Sequence, residues 1–337
     1  MNSRRLLRLF WVVFLFLVAA TPAQTSRAPG VDLFEQGKFP QAIVALEVSV
    51  KTDEFKSDGY TWNVLGLAYY AESQIKKSRK AFEKSVSLNP NSAVFRVNLG
   101  YAYLAGREID KAQKESLRAL KIDPKLSGAY EVLATSNMWE DKLDDAAKYA
   151  EFFIEYSPGD PQAYILKAHI LEGQMAQRIA GNSSIRDELH FLKEAIDVME
   201  IGMAKSKAHP MYSNLKDEQE SLTVFYDHFS RDPLPPTPAG ALPPPPSPGV
   251  TPYRIIYQPK ASYTDQARAN NVQGAVRIAI LFGADGRIKY TLLLKRLGWG
   301  LDEEAMKAAR AIKFEPKTKD GKPVSVVVIR EYTFSIY

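Results

Sequence analysis

Histidines, opposed carboxylates, thiolates and glycine-rich phosphate loops are the usual carriers of chemistry, and this 337-residue chain offers little of any of them. Its four histidines, His169, His190, His209 and His228, are widely spaced, with no His-Glu-x-x-His run and no Ser/His/Asp order. Asp144-Asp145 and Glu303-Glu304 are neighbours along solvated helix faces, so they cannot oppose each other across a substrate as an acid–base pair must. Gly298-Trp299-Gly300 lacks the lysine and the setting of a phosphate loop. The absence of cysteine excludes disulfides, thiolate zinc sites, a cysteine nucleophile and a lipidated N-terminal cysteine. We therefore expect no enzyme activity, no metal, no cofactor and no small-molecule substrate.

What remains is binding by shape, so the elements that build surfaces come next. Pro90, Pro124 and Pro158 are spaced by 34 residues. In register with them stand Trp62, Leu65, Gly66, Tyr69 and Phe82, then Leu99, Gly100, Tyr103, Ala112 and Ala119, then Tyr130, Leu133, Ala134, Ala146 and Phe153. This pattern resembles the tetratricopeptide repeat, a helical hairpin that stacks into a solenoid. Small residues at Gly66, Gly100 and Ala134 let the two helices of a hairpin approach, bulky Tyr69 and Phe82 fill between hairpins, and each proline ends a second helix. Phe39–Val50 reads as the second helix of an earlier hairpin starting near Val31. After Pro158 a fourth unit starts with Tyr164 and Ala168, but its second helix, around Leu189 to Lys205, comes about 15 residues late, after the turn-like Gly181-Asn182-Ser183-Ser184. The Asn182 sequon there reads as loop chemistry. A last helix from Pro210 to about Phe229, polar at Lys216, Glu218 and Glu220, suits a solenoid cap.

The resemblance implies a concave face lined by Tyr60, Asn63, Tyr70, Val97, Tyr101, Leu104, Glu131, Thr135 and Met138, which is a groove for an extended or helical peptide. Those aromatic residues serve equally well as packing between hairpins. The Lys/Asn clamp by which some such arrays hold a C-terminal carboxylate is absent, because Val97 and Glu131 occupy the places equivalent to Asn63.

The termini of the array are marked by composition. Arg4, Arg5 and Arg8 precede an apolar run from Leu9 to Ala20, the layout of a secretory signal cut after Ala20 or Ala23, or alternatively of a membrane anchor. Twelve helical residues span about 18 Å, short of the roughly 30 Å hydrocarbon core. From Pro233 to Pro252, 10 of 20 residues are proline, a semi-rigid spacer that reaches on the order of 60 Å when extended. Charge follows the same divisions: residues 1–23 carry +3, residues 24–249 carry −5, and residues 250–337 carry +7. The net +5 is thus no argument for nucleic acid, and none is expected as a partner.

Beyond the spacer the period changes to two. Val276, Ile278, Ile280 and Phe282 form one strand face, Gly283-Ala284-Asp285-Gly286 a turn, and Ile288, Tyr290, Leu292 and Leu294 the returning face. Leu301, Ala305, Ala308, Ala309 and Ile312 make a helical stripe, and a third strand opens at Val324, Val326 and Val328 and runs to Phe334. Tyr263 to Asn270 reads as a short helix. A hairpin followed by a crossover helix favours strand order 2-1-3, with helices on one face and the last strand as an unpaired edge.

Tyr263-x-x-x-Ala267-Arg268, Val272-Gln273-Gly274-x-Val276, Asp285-Gly286, Leu301-Asp302-Glu303-x-Ala305, Lys313-Phe314-x-Pro316, Asp320-Gly321-Lys322-Pro323-Val324 and Phe334 together resemble the TonB C-terminal domain over about residues 253–337. Thr264 departs from it, standing where the family usually has proline. The expected architecture is multidomain: a signal or anchor (1–23), an all-α tetratricopeptide-type solenoid with a capping helix (24–230), a proline linker (231–252), and a small α+β domain (253–337) with a three-stranded antiparallel sheet and two helices. The resemblance implies protein partners, in particular an outer-membrane transporter whose extended segment pairs with Val324, Val326, Val328, Arg330, Tyr332 and Phe334. It also implies an inner-membrane, proton-driven motor, although Leu9–Ala20 holds neither the histidine nor the serine such coupling uses. Two functions stand open: a TonB-type transducer linked to transmembrane transport, and a periplasmic adaptor that transmits no energy.

Overall fold

Helical hairpins repeat through the first two thirds of the computed structural model, which describes residues 27–181, 183–230 and 249–335. The segment 1–23, Asn182 and most of the proline run lie outside the described residues. The helices are α1 (Val31–Glu35), α2 (Phe39–Ser49), α3 (Gly59–Ala71), α4 (Ile75–Leu88), α5 (Ala93–Ala105), α6 (Ile109–Ile122), α7 (Ser127–Trp139), α8 (Leu143–Tyr156), α9 (Pro161–Ala180), α10 (Leu189–Lys205) and α11 (Tyr212–Ser230). No helix among the described residues is long and apolar enough to cross a membrane. The fold divides into two compact units, one ending at Leu166 and one running from Lys167 onward.

In the first unit the period is visible in the backbone. Each first helix closes on a left-handed residue, Ser73, Arg107 and Asp141, spaced as the prolines are. Their N–H groups bond back to Tyr70, Leu104 and Met138, and the next residues' N–H groups to Tyr69, Tyr103 and Asn137, which satisfies carbonyls the helix end leaves over. Two first helices, α3 and α5, start from side-chain caps: Asp58 accepts from the N–H groups of Tyr60 and Thr61, and Ser92 from that of Phe95. The small-residue positions do what their spacing requires. A Cβ on Gly66 would lie 2.5 Å from the Phe82 ring, whereas one on Gly100 would meet the Ser116 hydroxyl at 3.0 Å. Repeats are tied to one another by Asn98 donating to Asn63 at 2.9 Å, Gln113 donating to Glu140 at 2.9 Å, and the Arg107 guanidinium 4.0 Å over the Trp139 ring.

In the second unit, the late second helix has a simple cause. Helix α9 is 20 residues long against 13 in α3, α5 and α7, so it runs through what reads as an insertion. Helices α10 and α11 form the closing hairpin. Glu218 is not on the solvated side of α11: its carboxylate faces His169 Nε2 at 3.3 Å, with only 22% of the side chain exposed.

The C-terminal module is α+β. Strands β1 (Val250–Thr251), β2 (Arg254–Tyr257), β3 (Gly274–Phe282), β4 (Ile288–Lys295), β5 (Lys313–Glu315), β6 (Lys317–Lys319), β7 (Lys322–Val324) and β8 (Val326–Phe334) surround α12 (Asp265–Ala269) and α13 (Leu301–Arg310). The main sheet is antiparallel in the order β4-β3-β8, and two small sheets, β2-β5 and β1-β6-β7, stand beside it. Val250–Thr251, at the end of the proline-rich stretch, is a strand that pairs with Lys319 and Thr318. Val276, Ile278, Ile280 and Phe282 face a core completed by Leu301, Ala305, Ala309 and Phe314. Thr264 caps α12 through the Ala267 N–H at 3.1 Å while its hydroxyl donates to the Trp299 carbonyl at 2.7 Å.

The returning strand is where the expected faces shift. Register breaks flank Phe282 and Arg277, so Ile288 pairs with Phe282 and Leu293 with Ile278, and both pack into the helix-side core. Tyr290 and Leu292 lie opposite Leu281 and Ala279, on the other face.

Gly66→Ala should cost about 1–3 kcal/mol through overpacking against Phe82. Gly100→Ala should cost less, because the Ser116 hydroxyl can rotate away. Thermal unfolding of the two variants checks the difference.

Candidate functional site: a buried repeat face and a free strand edge

Most of the face implied by the repeat resemblance is covered. Asn63, Tyr70, Val97, Tyr101, Leu104, Glu131 and Thr135 are buried, and only Tyr60 and Met138 keep partial exposure. Val97, Tyr101 and Leu104 pack in the core between hairpins together with Leu67, Tyr70 and Phe82. The 34-residue register sets Val97 against Asn63, but the residue the fold brings there is Asn98, one place further on. After their mutual bond, Asn63 Nδ2 and Asn98 Oδ1 have no partner among the described residues. The signal for Asn98 was an offset of one, which a strict 34-residue alignment hides.

Glu131 is the electrostatic outlier of this face. Burial pushes its carboxyl up to about 8, an effect that the hydrogen bond donated by the Tyr101 hydroxyl partly offsets and the charge of Asp160 reinforces. Burial also raises Tyr101 and Tyr70, helped by the charge of Glu131. The group is thus a protonated acid and two phenols at neutral pH, suited to holding packing rather than to exchanging ions.

In the C-terminal module, five of the six edge residues fall on β8. Val326, Val328, Arg330, Tyr332 and Phe334 pair with Phe282, Ile280, Ile278, Val276 and Gly274 of β3. The side chains of Val328, Tyr332 and Phe334 enter the core, and Phe334 meets the Tyr263 ring edge-on at 5.9 Å. Arg330 instead lies over Tyr253, 6.0 Å from the ring, and donates to its hydroxyl at 3.3 Å. Val324 belongs to β7, where it pairs with Lys317. The hairpin through Asp320 and Gly321, both at positive φ, consumes it before the long strand begins. Ser325 marks the corner, its hydroxyl accepting from the Ala284 N–H at 3.1 Å.

The sheet has two edge strands, β4 and β8. Core side chains cover one face, α11 packs on β4, and no strand among the described residues pairs with the outer side of β8. An open edge of nine residues offers alternate backbone N–H and C=O groups to an incoming extended chain. Asp302 fixes the start of α13, accepting from the N–H groups of Leu297 at 2.8 Å and Gly298 at 3.2 Å.

Because folding raises the Glu131 pKa, its contribution is fully present below the ordinary carboxylate range and is lost as pH rises through about 8. Array stability should fall over that window by at most about 1.4 kcal/mol per pH unit. Glu131→Gln should flatten the profile, as read from melting temperature against pH.

A family model described as the Gram-negative bacterial TonB protein C-terminal matches residues 259–336, and a tetratricopeptide-repeat model matches residues 60–92 and 93–126. No curated protein matches the chain. Among solved structures, a crystal structure of MamA is similar at 26% identity and TM-score 0.42, over 51% of this chain and 94% of that one. TTC0263, a thermophilic tetratricopeptide-repeat protein of Thermus thermophilus, is similar at 14% identity and TM-score 0.45, over 58% of this chain and 95% of that one. YrrB, described as a tetratricopeptide-repeat protein with an unusual peptide-binding site, is similar at 16% identity and TM-score 0.39, over 56% and 88%. The chain thus joins a tetratricopeptide-repeat region to a TonB-type C-terminal domain, module types that bind proteins and are not catalytic.

Proposed function

We propose that this is an exported cell-envelope protein that binds partners through its repeat array and captures an extended segment of an outer-membrane transporter on β8, in the service of transmembrane transport. The observation that carries the reading is the free outer side of β8, an edge strand whose inner side is paired with β3 along its whole length. Strand addition needs no pocket and no side-chain chemistry, only unpaired backbone on a strand held straight by its inner neighbour. Here β3 supplies that neighbour over nine consecutive pairs. The surplus of basic residues in this module, 15 against 8 acidic ones from residue 250 on, would draw acidic partners towards the edge.

On this reading the layout is export segment (1–23), repeats with cap (24–230), linker (231–252) and capture module (253–337). Repeat partners would engage the face carrying Tyr60, Asn63, Tyr70, Val97, Tyr101, Leu104, Glu131, Thr135 and Met138. Tyr60 and Met138 would be met first, because the others are buried. A second reading, a periplasmic adaptor without energy coupling, is favoured by the shortness of the apolar run Leu9–Ala20.

Val326→Pro or Val328→Pro should abolish capture of a transporter's periplasm-facing peptide by the full chain. Capture that persists in a variant shown to be folded by thermal unfolding overturns strand addition. Cell fractionation with mass spectrometry of the mature N-terminus separates the two readings. Retention of residues 1–23 in the membrane fraction supports a motor-coupled transducer, and a cleaved, freely soluble product supports the adaptor.

A further inference from the structure

The main sheet of the C-terminal module has a second apolar face that its own helices do not cover. Ala279 and Leu281 of β3, with Leu292 and Leu294 of β4, are all at most 3% exposed, yet none belongs to the core beneath α13. Tyr290 lies on this same face, opposite Leu281. Within the unit that runs from Lys167, it reaches two helices of the repeat cap. Its hydroxyl donates to Glu172 of α9 at 2.7 Å, and its ring meets Phe225 of α11 edge-on at 5.9 Å between centroids. Phe225 itself is fully buried, and α11 packs on β4. On the β8 side of the face, Ile329 keeps 39% exposure, so the cover stops short of the free edge.

We propose that the outer face of the β4-β3-β8 sheet is a docking surface for the chain's own capping helices α9 and α11, closed by a proton-linked latch between Tyr290 and Glu172. The occupant follows from the contacts, since the apolar face is buried where those helices meet it and open where they do not. Docked, the cap and the capture module form one body with β8 free. Undocked, the module hangs on the proline spacer.

Proton linkage follows from the groups that face Glu172. These are His169 on its own helix, Glu218 on α11 and Tyr290 on β4. Burial pushes the Glu172 carboxyl up to about 7, against the pull of His169 and the Tyr290 hydrogen bond and with a further push from Glu218. Burial alone would lower His169, but the Glu218 carboxylate outweighs it and holds the imidazole at about 9. His169 and Glu218 both lie on the cap helices, so their pairing is the same docked or open, and the group that meets the sheet is Glu172, through Tyr290. Docking is therefore favoured below the ordinary carboxylate range and weakens as pH rises through about 7, by up to about tenfold per pH unit for one proton.

The chain has no native cysteine, so spin labels placed by Lys216→Cys on α11 and Lys295→Cys on β4 report the contact directly in the full chain. Pulsed electron spin resonance at pH 5 should give one narrow distance distribution. At pH 8 the docked-to-open ratio should fall about tenfold or more. Glu172→Gln, a mimic of the protonated acid, should stay narrow at both pH values. Tyr290→Phe should lower the ratio at pH 5 roughly three- to tenfold, as loss of one buried hydrogen bond would. Phe225→Ala should open it further, with circular dichroism confirming folded helices in each variant. A broad wild-type distribution at pH 5 overturns the docking. A narrow distribution that ignores both pH and Tyr290→Phe overturns the latch. The readout is a distance within the chain, so its outcome is independent of whether β8 captures a transporter.

Discussion

A short antiparallel sheet exposes two faces and two edges, and each uncovered apolar face or unpaired run of backbone groups is a free-energy liability until something meets it. That constraint organises the second half of this chain. Helix α13 and the aromatic group of Phe282, Phe314 and Tyr253, with ring centroids 4.2 and 5.3 Å apart, cover one face. The repeat cap meets the other face and lies along β4. The inner side of the edge strand β8 is fully paired, and its side chains alternate between core and surface. A strand so held cannot slip in register without turning Val328, Tyr332 and Phe334 out to water. It is therefore a rigid template, and rigidity is what lets a backbone edge capture a partner without a large ordering cost.

The repeat array answers the same kind of constraint with periodicity. One helical hairpin has too little surface to bury itself, so each hairpin is stabilised by the next. This is why the recurring Leu-Gly, aromatic and proline positions could be read directly: they are dictated by contacts that recur every repeat. Strand order, the free last strand and the helix-side core of the C-terminal module were legible for a similar reason, since alternation with period two and a crossover helix leave few arrangements.

What escaped the sequence reading was whatever depends on a one-residue offset. The register break before Phe282 moves Ile288 to the helix side and leaves Tyr290 on the opposite face, although strict alternation groups them. Asn98 meets Asn63 from a position one beyond the repeat grid. Val324 is drawn into a hairpin by Asp320-Gly321, so the edge strand starts two residues late. Glu218 reads as a solvated cap residue because its helix neighbours are polar, yet it turns to His169, 49 residues away in sequence. Each of these is set by a non-local partner, which periodicity cannot name.

The linker decides how weak the docking contact can be and still matter. On the reading of residues 231–252 as a spacer, two modules so joined would sit at an effective concentration of at most the order of millimolar, so a face-to-face contact with an intrinsic affinity in that range would be half closed. An interface poised there responds to small terms. Gain or loss of a single proton at Glu172, or of the one hydrogen bond from Tyr290, is enough to move it from mostly closed to mostly open. A large apolar interface would not behave this way, because no single polar contact would rival its burial term. The partial cover seen here, ending before Ile329, keeps the contact within reach of such control while leaving β8 accessible. Capture on the edge and docking on the face can thus coexist in one molecule, since the one uses backbone groups of β8 and the other side chains of β3 and β4.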